Sequence, residues 1–265
     1  MTGIDLETWP LPESEMQQFF PEPTPYEDPG EFDESTVKLG NLTDPVKIKA
    51  KIGRAAMDWE VAREQGKELH NEMYLEACQK VREKACLDPR MSRIFGFVIK
   101  TGDTGGIVHL KPNPTQEEEE QLIEMLWARI MSSSQIVGWN ILGFDLPYLI
   151  SRTLLSELEC PADITSIPRF SGQKMTGKGL QVQVFDLQAE FAKIQVNGRQ
   201  FHSMESAARF FGIPGKHDLN DLLPWEACKE DEETARVYTK QDGDLLWQLG
   251  QKMQIIKTPW INHAA

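Results

Sequence analysis

An acid stands where the most apolar stretch of this chain calls for a core residue. Gln135-Ile136-Val137-Gly138-Trp139 reads as a short buried strand of β-branched and aromatic residues, and Asn140 through Phe144 leads from it into the apolar start of a helix. Asp145 then falls at a core position. A carboxylate moved into such surroundings costs several kcal/mol unless it is paired or bound to a metal, so Asp145 needs a partner.

Two other acidic segments supply it. In Ile4-Asp5-Leu6-Glu7-Thr8 the alternation sends Asp5 and Glu7 to one face of a strand, with Ile4 and Leu6 on the other. Tyr238 and Asp242 are four apart, which stacks them on one face of a helix. Four carboxylates and a phenol from three distant segments make a suitable inventory for two divalent cations.

These segments resemble the three motifs of the DnaQ-like (DEDD) 3′ to 5′ exonuclease superfamily, Asp-x-Glu, Asn-x3-Phe-Asp and Tyr-x3-Asp, in that order. Within it the chain is most similar to the group related to the proofreading exonuclease domain of family B DNA polymerases. Val237 stands where a DEDDh enzyme has histidine, and Tyr238 marks the DEDDy type. Each motif alone is weak, and their strength lies in the order and the matching secondary structure.

The resemblance implies an α/β fold, a ribonuclease H-like mixed sheet with flanking helices and a long, mainly helical insertion between the first two strands. It implies one DnaQ-like exonuclease domain over residues 1–265, with the insertion at about 12–90. Asp5, Glu7, Asp145 and Asp242 would hold two Mg²⁺ or Mn²⁺ ions, with Asp5 bridging both, and Tyr238 would orient the attacking water. Asn140 and Phe144 would position the terminal nucleotides, while Leu6 and Thr8 contact the terminal base and sugar. The implied activity is removal of nucleoside monophosphates from single-stranded or frayed 3′ ends, DNA ahead of RNA, with a replication or repair protein as partner. The alternative is a catalytically silent nucleic-acid-binding or scaffold protein of the same fold.

Composition narrows the classes. A chain of 265 residues, 40% hydrophobic with seven Trp, reads as folded and globular. No apolar run approaches the roughly 20 residues of a membrane span, and no signal peptide precedes Asp5. Cys78, Cys86, Cys160 and Cys228 lack CxxC spacing, which favours reduced thiols and a cytoplasmic setting. The net charge of −13 sets the chain apart from basic duplex binders. Much of that acid lies in Gln116–Glu120 and Glu230–Glu233, which read as solvated helix starts. Modest, salt-sensitive affinity with a local basic rim is the expectation.

Along the chain, residues 1–8 read as the first strand, with a shorter apolar run before Asp5 than family members commonly have. Pro10 and Pro12 end it. Asp44-Pro45 opens a helical stretch to about Cys86, in which Gly53 and Gly66 favour two helices or a bent pair. Asp58-Trp59-Glu60 repeats Asp-x-Glu within that pattern and reads as an exposed helix face rather than the first motif. Residues 93–100 and 106–110 read as a hairpin with a turn at 101–105, and Thr115 with Glu118 as a capping box. Arg169–Gly179 is basic and glycine-rich, a flexible surface loop or a phosphate-contacting rim. Val182–Leu187 reads as the last strand, with Asp186 not a ligand, and Asp244 is rotated away from the Asp242 face. Ser203 caps a short helix through Phe211, and Gly212–Lys216 also resembles the family B related exonucleases. His202 and His217 read as surface or core polar groups.

Overall fold

Alternation in the first ten residues gives strand β1 (Thr2–Pro10), and every later strand is placed by reference to it. In a computed structural model, which describes residues 1–103, 106–194, 203–215 and 224–257, β1 lies inside a six-stranded sheet. The others are β2 (Ser92–Lys100), β3 (Ile107–Leu110), β4 (Gln135–Gly138), β5 (Lys174–Gly177) and β6 (Leu180–Asp186), in the order β3-β2-β1-β4-β6-β5. β1 pairs antiparallel with β2 and parallel with β4, β4 pairs parallel with β6, and β5 closes the far edge antiparallel. This is the mixed, ribonuclease H-like sheet expected from the sequence, and the N-terminal end of β1 is paired on both sides. His202, His217, Lys216 and part of the 101–105 turn lie outside the described residues.

The chain divides into two units, residues 1–11 with 85–265, and Pro12–Lys84. In the first, α3 (Gln116–Met131) and α4 (Asp145–Leu155) cover one sheet face. Ile4 and Leu6 pack there with Leu122, Leu126, Leu146 and Leu149. The other face is covered by α5 (Leu187–Lys193), α6 (Met204–Phe210) and, after the short α7 (Pro224–Glu230), α8 (Glu232–Lys252), where Val137 packs with Phe191, Ala208, Leu246 and Leu249. By alternation Asp5 and Glu7 emerge on this second face.

The capping box at Thr115 forms as expected, but the acidic run behind it is not wholly solvated. Glu119 is fully buried, paired with Arg152 of α4, and accepts from the Ile94 N–H at 2.8 Å. It lies on the stripe carrying Leu122, Ile123, Leu126 and Ile130, so helical geometry turns this one acid inward while its neighbours face water.

In the second unit, after α1 (Glu13–Met16), the insertion forms one helix, α2 (Pro45–Lys84), not two. A glycine costs about 1 kcal/mol against alanine in a helix interior, too little to break a ladder of this length. Gly66 instead lets another segment approach: an added Cβ would lie 3.1 Å from the Tyr26 hydroxyl, which donates to the Arg63 carbonyl. Asp58 and Glu60 are exposed on this helix.

Residues 169–179 are also more ordered than the expected loop, because Lys174–Gly177 is strand β5. Gly177 is required there, since a Cβ would meet the Pro161 carbonyl oxygen at 1.9 Å.

Candidate metal centre

β1 brings Asp5 and Glu7 to the face against which α8 packs, and α8 supplies Asp242. One carboxylate oxygen from each lies within 4.8 Å of the others. Glu7 and Asp242 are buried and Asp5 is half-buried. Three ionised carboxylates at that spacing repel one another, a repulsion that a proton or a cation among them relieves, and an all-oxygen donor set fits a hard divalent ion. Asp58 and Glu60 are not part of this cluster.

The α8 face that meets the sheet carries Ala235, Thr239, Asp242, Leu246 and Leu249, at spacings of three and four. Thr239 is fully buried, and its Oγ1 donates to Glu7 Oε1 at 3.2 Å. Gly243 makes the close approach of α8 to β2 feasible, because a Cβ there would lie 2.7 Å from Val98 Cγ2. Val98 is the register partner of Asp5, so this contact fixes how near Asp242 comes to Asp5. Neither Thr239 nor Gly243 was singled out from sequence, although the helical spacing places Thr239 on the Asp242 face. Tyr238 is half-buried, one turn before Asp242. Asp244 pairs with Lys100 of β2, away from the cluster, as its rotation implied.

Asp145 is the first residue of α4 and is 4% exposed. It stands outside the 4.8 Å grouping, joined to the acid-bearing strand through the Leu6 N–H, which donates to its Oδ1 at 3.0 Å. Burial pushes its carboxyl up to about 7, against the lowering effect of the Leu6 hydrogen bond, and the nearby charge of Asp186 adds to the rise. Asp186 has a structural task, capping α5 through the Gln188 and Ala189 N–H groups and accepting from the Leu142 N–H at 3.1 Å.

Between β4 and α4 the chain turns within Asn140–Phe144. Asn140 has φ +55°, and its carbonyl accepts from Gly143 and Phe144 at 2.9 and 2.8 Å. At Gly143 an added Cβ would lie 2.3 Å from Asn140 Oδ1, so a larger residue there would displace the Asn140 side chain. The Phe144 ring is partly buried and lies 5.3 Å from that of Tyr148. Leu6 and Thr8 differ from this group: the Leu6 side chain is in the core on the α3–α4 face, and the Thr8 hydroxyl donates to the Cys86 carbonyl at 2.8 Å. A register shift between Glu7 and Thr8 interrupts the pairing with β2 just past the acids, and it resumes from Thr8 with Ile94 to Pro10 with Ser92.

A comparison with curated proteins finds no match. Among solved structures the chain is similar to the family B DNA polymerase of the hyperthermophilic archaeon Pyrobaculum calidifontis, at 17% identity and a TM-score of 0.44. That similarity covers 63% of this chain and 22% of the polymerase, so the chain corresponds to a small part of that protein's length. Residues 90–246, more than half of the chain, match a protein-family model and include Asn140, Phe144, Asp145, Tyr238 and Asp242. Asp5 and Glu7 precede the matched span, and it is the sheet that brings them to Asp242. On that match the chain belongs to the family of predicted 3′-5′ exonucleases related to the exonuclease domain of PolB.

Proposed function

We propose that this protein is a metal-dependent nuclease of the DEDDy type that removes nucleoside monophosphates stepwise from single-stranded or frayed 3′ ends, DNA ahead of RNA. The observation that carries the reading is the convergence of Asp5, Glu7 and Asp242 from two distant segments on one site. Asp5, Glu7, Asp145 and Asp242 would hold two Mg²⁺ or Mn²⁺ ions. Such a pair, when bound, supplies Lewis acidity to both the attacking and the leaving oxygen of a phosphodiester.

The remaining roles belong to the chain. Tyr238 orients the attacking water by a hydrogen bond, for which a neutral phenol suffices. The Asn140–Phe144 turn positions the terminal nucleotides, with the Phe144 ring against a base. Thr239 holds Glu7, and the Leu6 backbone holds Asp145. The preference for DNA rests on the family's relation to DNA polymerases. The four cysteines are free thiols, which supports a reducing compartment such as the cytoplasm, and among the described residues no helix is long and apolar enough to cross a membrane. A replication or repair protein is the partner this reading suggests.

The test is degradation of 5′-labelled single-stranded DNA and RNA of equal sequence, with Mg²⁺, Mn²⁺ or EDTA. The expected result is a ladder shortening from the 3′ end, faster on DNA, and abolished by EDTA and by Asp5→Ala but not by Asp58→Ala. Absence of products from folded wild-type protein with either metal would overturn the nuclease reading.

A further inference from the structure

The loop from Arg169 to Gln173 holds an aromatic ring in water. Phe170 is 68% exposed, and Arg169 beside it is also exposed. Leaving such a ring unburied forgoes roughly 1.5–3 kcal/mol. The loop is nonetheless fixed on every side. The Gln173 side-chain oxygen accepts from the Arg169 and Phe170 N–H groups at 3.3 Å, and the Gly172 N–H donates to Val184 at 2.7 Å. Ser171 Oγ accepts from the Asp186 N–H at 3.0 Å. Gly172, at φ +85°, supplies the left-handed residue that makes the bend.

The position of the ring gives this exposure a use. Gly138 and Asp186 are register partners at the ends of β4 and β6, and Gly3 pairs with Val137, so Asp5 lies one residue beyond the Gly138–Asp186 level on β1. Gly172 approaches the Phe185 ring, and Ser171 hydrogen-bonds Glu190 of α5, both on the sheet face that carries Asp5 and Glu7. Asp186, which holds Ser171, also holds Leu142 of the Asn140–Phe144 turn. The loop therefore stands at the same end and on the same face as the acids, about 14 Å across the sheet at roughly 4.8 Å per strand.

The geometry points to Phe170 as a stacking platform for a base of a single-stranded nucleic acid, a few nucleotides inward from the end held at the metal centre. Arg169, adjacent in sequence, and Lys174, at the start of β5, are both exposed and offer positive charge for the phosphates. This inference rests on the exonuclease reading for the direction of the strand. A ring accepts any base by its π-face, so Phe170 adds affinity for length without adding sequence preference.

The experiment uses the full chain and 5′-labelled single strands from a dinucleotide upward. In the wild type, KM falls as length increases until the strand reaches Phe170. Phe170→Ala raises KM on the longer strands about tenfold, leaves kcat and dinucleotide cleavage unchanged, and is rescued by Phe170→Tyr. In EDTA, with no hydrolysis, the fluorescence of Phe170→Trp is quenched by the longer strands beyond any change in the wild type, which carries seven native Trp. Equal KM for wild type and Phe170→Ala at every length, with unquenched Phe170→Trp, would overturn the inference. If the wild type cleaves nothing but Phe170→Trp is still quenched, the platform stands and the nuclease reading falls.

Discussion

A threonine hydroxyl beside a carboxylate oxygen can donate to it, and Thr239 Oγ1 does so to Glu7 Oε1 at 3.2 Å within the core. Groups that orient a metal ligand commonly alter affinity by about 10- to 100-fold when lost. Thr239→Val keeps the shape and removes the donor, so Mn²⁺ binding measured by calorimetry should weaken about tenfold, whereas Thr239→Ser should stay near wild type. Asp145 gives a pH dependence. Its folded-state value of about 7 is above the unfolded value near 3.9, so the native state retains a proton that the unfolded chain releases. In EDTA the stability should therefore fall as pH rises from about 4 to about 7, and Asp145→Asn should flatten that slope in urea titrations.

At the scale of elements, the contact of α8 with β2 sets the width of the acid cluster. Gly243→Ala forces a Cβ against Val98, and such overpacking costs about 1–3 kcal/mol. Both stability and Mn²⁺ affinity should drop, and the double variant with Val98→Ala should recover both, because it restores the space. The Arg152–Glu119 pair joins α4 to α3 and to β2 within the core. Removing one partner of a buried pair strands the other charge, so Arg152→Ala should cost about 3–5 kcal/mol in chemical denaturation. Arg236→Ala, which removes surface pairs with Glu232 and Glu233 and a 3.3 Å hydrogen bond to the Val108 carbonyl, should cost less than Arg152→Ala. Sequence reading missed the Arg152 pair because a run of four glutamates does not announce which one faces inward. It expected a break in α2 because Gly53 and Gly66 count against a helix locally, while the packing of Tyr26 on Gly66 is a tertiary fact. It read 169–179 as loop because β5 is a short edge strand whose alternation is hidden by glycines and lysines.

At the scale of the molecule, the features with strong periodicity were legible. Alternation at Ile4–Thr8 and the four-residue spacing of Tyr238 and Asp242 carried both the strand–helix order and the acids, and the sheet brings three of those acids together. What the sequence could not carry was the support around them: the donor on Glu7, the glycine against Val98, and the backbone hydrogen bond from Leu6 that ties Asp145 to the acid-bearing strand. The insertion remains the place where the second Asp-x-Glu tests the assignment, because Asp58 and Asp5 are alike in sequence and unlike in setting. The most direct measurement is a calorimetric titration of Mn²⁺ into wild type, Asp5→Asn and Asp58→Asn, with melting temperature followed on the same samples. Wild type and Asp58→Asn should bind the ion and gain stability, and Asp5→Asn should do neither while remaining folded. Unchanged binding by Asp5→Asn, or its loss in Asp58→Asn, would contradict the assignment of Asp5, Glu7 and Asp242 as the metal centre.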